Sequence, residues 1–486
     1  MNASSGQGAL FELMARGVKD AYFVKDKGSS TFPYDARYDS SVHHLAERRT
    51  EVPLAGATFG APFEIEIAPF GDVMTECALE VDLPSWLPPQ WITENGLYPI
   101  TTPSGTSYGY VNYAAYFLFE KIQFLQDQFV IQEWSGDGLL AKQLTEGSSN
   151  SSFLRQVQGG LMDSTGLSYE RSIQLRATPG HLRIVLPLPG MQCPGDAGFP
   201  LAACPWQTYR IKGILRKLED MVVCSDPTVF KPSPWNLPEL MIHYDNGDTA
   251  LIVPRTKLQM EQPTLLLSTV QHYLPPTAQN ELRTKPIEIP FRKTFENVFT
   301  FGELDYISLD KGGVASCTRR LDGRHPTERM FWFFRNSTAL DQNRLDDWHN
   351  DYFETHLPTA AQPLSHSEFY YDIKLNIAGK ERDELYGPLV WGSINQLVHD
   401  ERGNGKHIGS INWTTGEKYG VVYPCPRQPE GTINLTTADK PTLLIQLANI
   451  TNNVYLAQRK AELRVWTEGW NVYVVQEGRG RVQFAS

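Results

Sequence analysis

The sequence predicts an all-β protein made of two β-sandwiches, and three observations predict it. Short runs that alternate between apolar and polar residues, or are apolar throughout, recur along the chain and are separated by Pro, Gly, Asn and Asp clusters. The 33 prolines fall mostly between those runs, as expected where strands are joined by long connections rather than by crossover helices. Finally, 486 residues exceed what one sandwich or barrel usually holds, about 250, so the strands divide between two.

Taken in order, the first element is the exception. GALFELMARGVKD is the one stretch with a helical stamp: Leu10, Phe11, Leu13 and Met14 form an apolar stripe, and Gly17 follows as a stop. Two or three turns are too short to persist alone in water, so this arm must lay its stripe on a surface. The strands follow as FEIEI (63–67), CALEVDL (77–83), EKIQFL (120–125), QFVIQEW (128–134), LRIVLPL (182–188), TALIVP (249–254) and TLLLSTV (264–270). Four more come later: IKLNIA (373–378), TLLIQLA (442–448), ELRVW (462–466) and NVYVV (471–475). The chain then ends on GRGRVQFAS, a second alternating run with no polar tail.

Between LRIVLPL and TALIVP lies CSDPTVFKPSPWNLPE, rich in proline and without periodicity. It sets the expected organisation: an arm over 1–20, a first sandwich over 21–223, a linker over 224–240 and a second sandwich over 241–486. An internal echo agrees with a duplication. EKIQFLQDQF from Glu120 resembles YDIKLNIAGKE from Tyr371, and IEIAPF ending at Phe70 resembles IEIPF ending at Phe291, in the same order.

Composition excludes several classes. A net charge of -11 without a basic tract argues against wrapping nucleic acid. No apolar run of spanning length and no secretory leader pattern is present, so synthesis in a cytosol is expected. Cys77, Cys193, Cys204, Cys224, Cys317 and Cys425 offer no CxxC pair, and reduced, buried thiols are expected.

Candidate chemistry is sparse. GTSYG (105–109) fits the GxSxG pattern around Ser107, but Pro103 and Ser104 stand where an elbow needs an apolar strand, so a loop is expected. LDDWHNDYFETH gathers Asp346, Asp347, His349, Asp351, Glu354 and His356 without a defined ligand spacing, and a polar connection with aromatic anchors is expected. His43 and His44 sit in a polar stretch, and GNGKHIG (403–409) lacks the Ser or Thr of a phosphate loop. The sequons at Asn150, Asn336, Asn412, Asn434 and Asn449 carry little weight without a secretory route. No catalytic residue, cofactor or metal is therefore expected.

Several stretches, in one order across both halves, carry a resemblance. They are FGDVMTECALEVDLP (70–84), YVNYAAYFLFEKIQFLQDQFVIQEWSGD (110–137), LPLPG with FPLAACPWQTYRIKGIL (186–215), PRQPEGTINLT (426–436) and the terminal NVYVVQEGRGRVQFAS. Together they resemble the major capsid proteins of nucleocytoplasmic large DNA viruses. Glu430, Leu435 and Thr436 depart from the family's pattern, as do Gln126 to Gln128 where a glycine-rich turn is expected.

The resemblance implies two tandem eight-stranded jelly rolls behind a short N-terminal helical arm. It implies a structural, non-enzymatic protein that trimerises into pseudo-hexagonal capsomers of an icosahedral shell around double-stranded DNA. The implied partners are further copies of the chain, neighbouring capsomers, and minor capsid and penton proteins. Contact with nucleic acid is not expected, and association with an internal viral membrane would be indirect. The implied location is the virion, after assembly in the host cytoplasm. The arm residues Leu10, Phe11, Leu13 and Met14 would then contact neighbours at the capsomer base. Rival readings are a minor double jelly-roll capsid paralogue and a carbohydrate-binding or carbohydrate-cleaving sandwich, the latter suggested by 11 tryptophans and the acids around Asp346.

Overall fold

A computed structural model describes residues 46–88, 100–146, 173, 179–192, 197–226, 228–244, 246–306, 314–348, 370–377, 380–381, 390–391, 408–413, 429, 431–436, 441–447 and 461–484. The expected arm helix, with Leu10, Phe11, Leu13 and Met14, lies outside them.

Among the described residues, sixteen strands make two sandwiches. The first comprises β1 (Ala46–Pro53), β2 (Pro62–Glu66), β3 (Val73–Asp82), β4 (Phe119–Gln126), β5 (Phe129–Trp134), β6 (Leu182–Val185), β7 (Tyr209–Leu215) and β8 (Thr264–Tyr273). The second comprises β9 (Ile287–Phe301), β10 (Ala315–Arg320), β11 (Pro326–Asn336), β12 (Tyr370–Ile377), β13 (Lys380–Glu381), β14 (Gly409–Asn412), β15 (Thr442–Leu447) and β16 (Ala461–Gln476).

The sheet orders are the evidence for the jelly roll. In the first sandwich they run β1-β8-β3-β6 and β2-β7-β4-β5; in the second, β9-β16-β11-β14 and β10-β15-β12-β13. Adding eight to each label of the first set gives the second. Every ladder is antiparallel, and the first and last strands of each octet lie side by side. This is the double Greek key of a jelly roll, made twice.

Pairing also places the boundary between the sandwiches. The proline-rich linker at 224–240 was the expected division, but the ladders cross it. β8 lies between β1 and β3, matching Thr50 with Thr269 and Ser268 with Ala78. Leu240–His243 likewise pairs with Ile100–Thr101. The first octet thus closes at Tyr273, and α2 (Pro276–Thr284) bridges to β9. Proline density marks a long connection and says nothing about where the closing strand returns.

One half of the internal echo is topological. EKIQFLQDQF is β4 turning into β5, and YDIKLNIAGKE is β12 turning toward β13, the same hairpin of each roll. The other is coincidence, since IEIAPF leaves β2 whereas IEIPF begins β9.

Local patterns match the layers. β2 alternates exposed and buried residues, with Phe63 and Ile65 inward, as a strand with one wet face should. β11 differs: Met330, Trp332 and Phe334 point into the second sandwich's core, while Phe331 and Phe333 join the cluster that runs into the first. MFWFF is apolar throughout because both of its faces are covered.

The terminal run folds back as β17 (Arg479–Val482), pairing Tyr473 with Val482 and Gln476 with Arg479. Glu477 and Gly478 form the two-residue turn with φ of 53° and 74°, the pattern of the hairpin turn that suits strand twist. β11 pairs with β16 only from Ala461 to Gly469, and β17 covers that edge from Tyr473 onward. The last residues are a strand because they satisfy backbone groups that β11 leaves open.

Candidate functional site

The two sandwiches meet along a buried seam that carries most of the buried charge among the described residues. From the first sandwich comes α1 (Gly136–Glu146), which follows β5 directly. Its start is crowded: a Cβ at Gly136 would collide with the carbonyls of Tyr116 and Phe119, and one at Gly138 with the Trp466 ring. Only glycine lets the helix sit this low on β16.

The ionic contacts radiate from two carboxylates. Asp137 accepts a hydrogen bond from Arg335 at 2.8 Å and pairs with Arg464 at 3.1 Å, with Arg216 at 3.9 Å. Glu468 accepts from Arg329 at 2.6 Å and from Lys142 on α1. Arg335 also holds Glu462 at 3.0 Å, and Arg292 holds Glu328 at 2.8 Å while lying 4.4 Å over the Trp470 ring. Burial by itself would raise the Asp137 carboxyl, yet Arg335, Arg464 and Arg216 outweigh it and hold the group well below the usual range. Glu468 shows the same balance: burial pushes it up, and Arg329 with Lys142 brings it down to about 2. Both are anions at neutral pH.

Aromatic packing surrounds these pairs. Phe333 stacks on Trp348 at 4.2 Å, and Phe331 on Trp466 at 5.5 Å. At the other end the C-terminal hairpin docks on the first sandwich. The Tyr209 and Tyr473 hydroxyls meet at 2.9 Å, Gln126 Nε2 donates to the Gly480 carbonyl at 2.7 Å, and the Gly480 N–H donates to Gln207 Oε1 at 2.7 Å. Apolar faces alone tolerate sliding, whereas directional bonds at fixed points on both sandwiches select one mutual orientation. The chemistry available to the seam is that of a fixed joint.

The residues singled out in the sequence fall elsewhere. Ser107 is fully buried in a β-hairpin: it bridges Thr101, its N–H donates to Ser225 Oγ at 2.9 Å, and its carbonyl accepts from the Ser225 N–H at 3.0 Å. The loop expected there is an ordered hairpin, turned by Gly105 at φ 91°. No strand-to-helix elbow is formed.

Asp346 accepts from Asn112 at 2.7 Å and Asp347 from Arg344 at 3.2 Å. Of the expected polar connection with aromatic anchors, Asp347 and the anchor Trp348 are buried; His349, Asp351, Glu354 and His356 lie outside the described residues. Among the described residues no group of three His, Cys, Asp or Glu side chains is placed to hold a metal. Cys77, Cys204, Cys224 and Cys317 are free and buried, while Cys193 and Cys425 lie outside the described residues. Among the described residues, no helix is long and apolar enough to cross a membrane.

Sequence reasoning missed the seam. Its signal was present in charges set inside apolar strands, in IEIPFRK, TERMFWFFRN and ELRVWTEGW, where Arg292, Glu328, Arg329, Arg335 and Glu468 interrupt runs that a sheet facing water would not need to bury.

No protein-family model and no curated protein sequence matches the chain. Solved structures do. A quasi-atomic model of the PBCV-1 virus capsid aligns over 93% of this chain and 100% of its own, at 15% identity and a TM-score of 0.64. The crystal structure of PBCV-1 VP54, fitted into a reconstruction of the virophage Sputnik, covers the same shares at 14% identity and 0.64. The Faustovirus major capsid protein aligns over 95% of each chain at 11% identity and 0.56. The likeness is one of fold, spanning both sandwiches.

Proposed function

We propose that this chain is a structural major capsid protein that self-assembles into trimeric, pseudo-hexagonal capsomers tiling the icosahedral outer shell of a large double-stranded DNA virus. The observation that carries the reading is the repeated jelly-roll order, held across one seam and shared end to end with chains from the PBCV-1 capsid and with the Faustovirus major capsid protein.

The physical argument is one of symmetry. Two like sandwiches at a fixed angle present two similar outer faces, so three chains around an axis present six and tile a plane as a hexagon would. A joint that selects one angle is what such tiling needs, and the buried ionic seam supplies it. Closed cyclic association also covers exposed apolar side chains; Phe129 and Trp206, 79% and 84% exposed, lie toward the end where the C-terminal hairpin docks.

In this reading the partners are other copies of the chain, neighbouring capsomers, and minor capsid and penton proteins. The arm of Leu10, Phe11, Leu13 and Met14 contacts those neighbours, and any association with an internal viral membrane is indirect. The chain carries out no reaction, and its location is the virion, after synthesis in the host cytoplasm.

Native mass spectrometry and negative-stain microscopy of the purified chain test the reading. The expected result is a homotrimer seen as triangular or hexagonal particles. A persistent monomer at high concentration and physiological salt, after co-expression with viral chaperones, overturns it.

A further inference from the structure

A half-enclosed cavity of about 390 Å³ opens on the seam, within the range of small-molecule sites. Both sandwiches line it: Trp134 and the start of α1 from the first, Lys293, Phe295, Arg324 and Trp466 from the second. It belongs to neither roll alone.

Lys293 is the unusual residue in this wall. It is only 7% exposed, yet among the described residues its ammonium makes no hydrogen bond and no ion pair, and its nearest ring, Phe295, is centred 5.8 Å away. The other buried cations of the seam are matched: Arg292 by Glu328, Arg329 and Lys142 by Glu468, Arg335 by Asp137. A buried ammonium with no carboxylate in contact is costly, so a lysine held this way is poised for one.

The surroundings have the matching sign. Arg324 lies on the same cavity, and burial together with Arg324 pushes the Lys293 ammonium below its ordinary range against the opposing pull of Glu133, a shift that a bound anion would reverse. The carboxylates on the wall are mostly engaged: Glu133 with Lys121 at 2.8 Å and Glu296 with Arg464 at 3.1 Å. Asp322 remains to oppose two cations.

We propose that this cavity binds a small multivalent oxyanion of the phosphate or polycarboxylate type, with Lys293 and Arg324 as its counter-charges and Trp134, Phe295 and Trp466 as its walls. Such a ligand touches both sandwiches and so favours their joined arrangement by linkage. The inference stands apart from the capsid reading, because it concerns a single chain.

Calorimetric titration of the purified full chain with inorganic phosphate, and separately with citrate, tests it against sodium chloride of matched ionic strength. One saturable site per chain is expected, with tryptophan fluorescence changing in parallel, and the anion that binds more tightly identifies the source. Lys293→Met and Arg324→Gln should each weaken binding about tenfold or more, the scale of losing one charge-assisted contact, while Lys285→Ala outside the cavity leaves it unchanged. If Lys293→Met does not fold, Arg324→Gln at its exposed position decides. Absence of saturation by both anions, or equal binding in the folded variants, overturns the proposal.

Discussion

Asp137 on the helix of the first sandwich accepts a hydrogen bond from Arg335 on a strand of the second at 2.8 Å, and each side chain is 1% exposed. A contact so dry, linking residues 198 positions apart, joins two folding octets through charge as well as through apolar area.

Removing that carboxylate should be expensive. Asp137→Asn keeps the shape but leaves Arg335 and Arg464 short of an anion, and breaking one partner of a buried pair typically costs about 3–5 kcal/mol. Equilibrium unfolding in urea should show a loss of that size, with near-native secondary structure retained in the folded variant.

Acid should loosen the seam in a defined window. Glu468 falls from an ordinary 4.5 to about 2 in the folded chain, and Asp137 and Glu462 are also lowered; each balances burial, which raises it, against arginines, which lower it. The unfolded chain therefore takes up these protons first. Their contribution is present above pH 4.5 and disappears as pH falls toward 2, by on the order of 3 kcal/mol for Glu468. Glu296, raised by burial, works in the opposite sense. Melting temperature measured against pH should decline across this window, and Glu468→Gln should flatten the decline.

Gly480 should tolerate no side chain. A Cβ there would overlap the Tyr473 hydroxyl, the group that meets Tyr209 and Gln126. Gly480→Ala should cost about 1–3 kcal/mol, as overpacking does. It should also make the C-terminal hairpin the first segment to exchange amide hydrogens, readable by mass spectrometry.

Deleting residues 1–17 tests the assembly role proposed for the arm. Burial of Leu10, Phe11, Leu13 and Met14 against a neighbour would contribute on the order of 5 kcal/mol before ordering costs. Truncated chains should therefore form soluble trimers with nearly unchanged melting temperature, yet enter shells poorly when co-assembled with intact chains. Failure to fold or to trimerise would place the arm in the core.

The sequence by itself determined that the chain is β, that it is double, and where most strands run. Alternation in FEIEI and TLLIQL is set by the pleat, which needs only near neighbours, and Gly478 meets the φ demand of its place in the terminal turn. Tertiary structure alone decided which strand closes each roll. β8 returns across the proline-rich linker to lie between β1 and β3, a choice fixed by two waiting strand edges and invisible to any local pattern. It also decided the seam. Arg329 and Arg335 look in the sequence like ordinary strand charges, and only the approach of β16 and α1 gives them the carboxylates of Glu468 and Asp137 inside protein instead of water. Local sterics write the strand; the partner that makes a charge affordable to bury arrives from more than a hundred residues away.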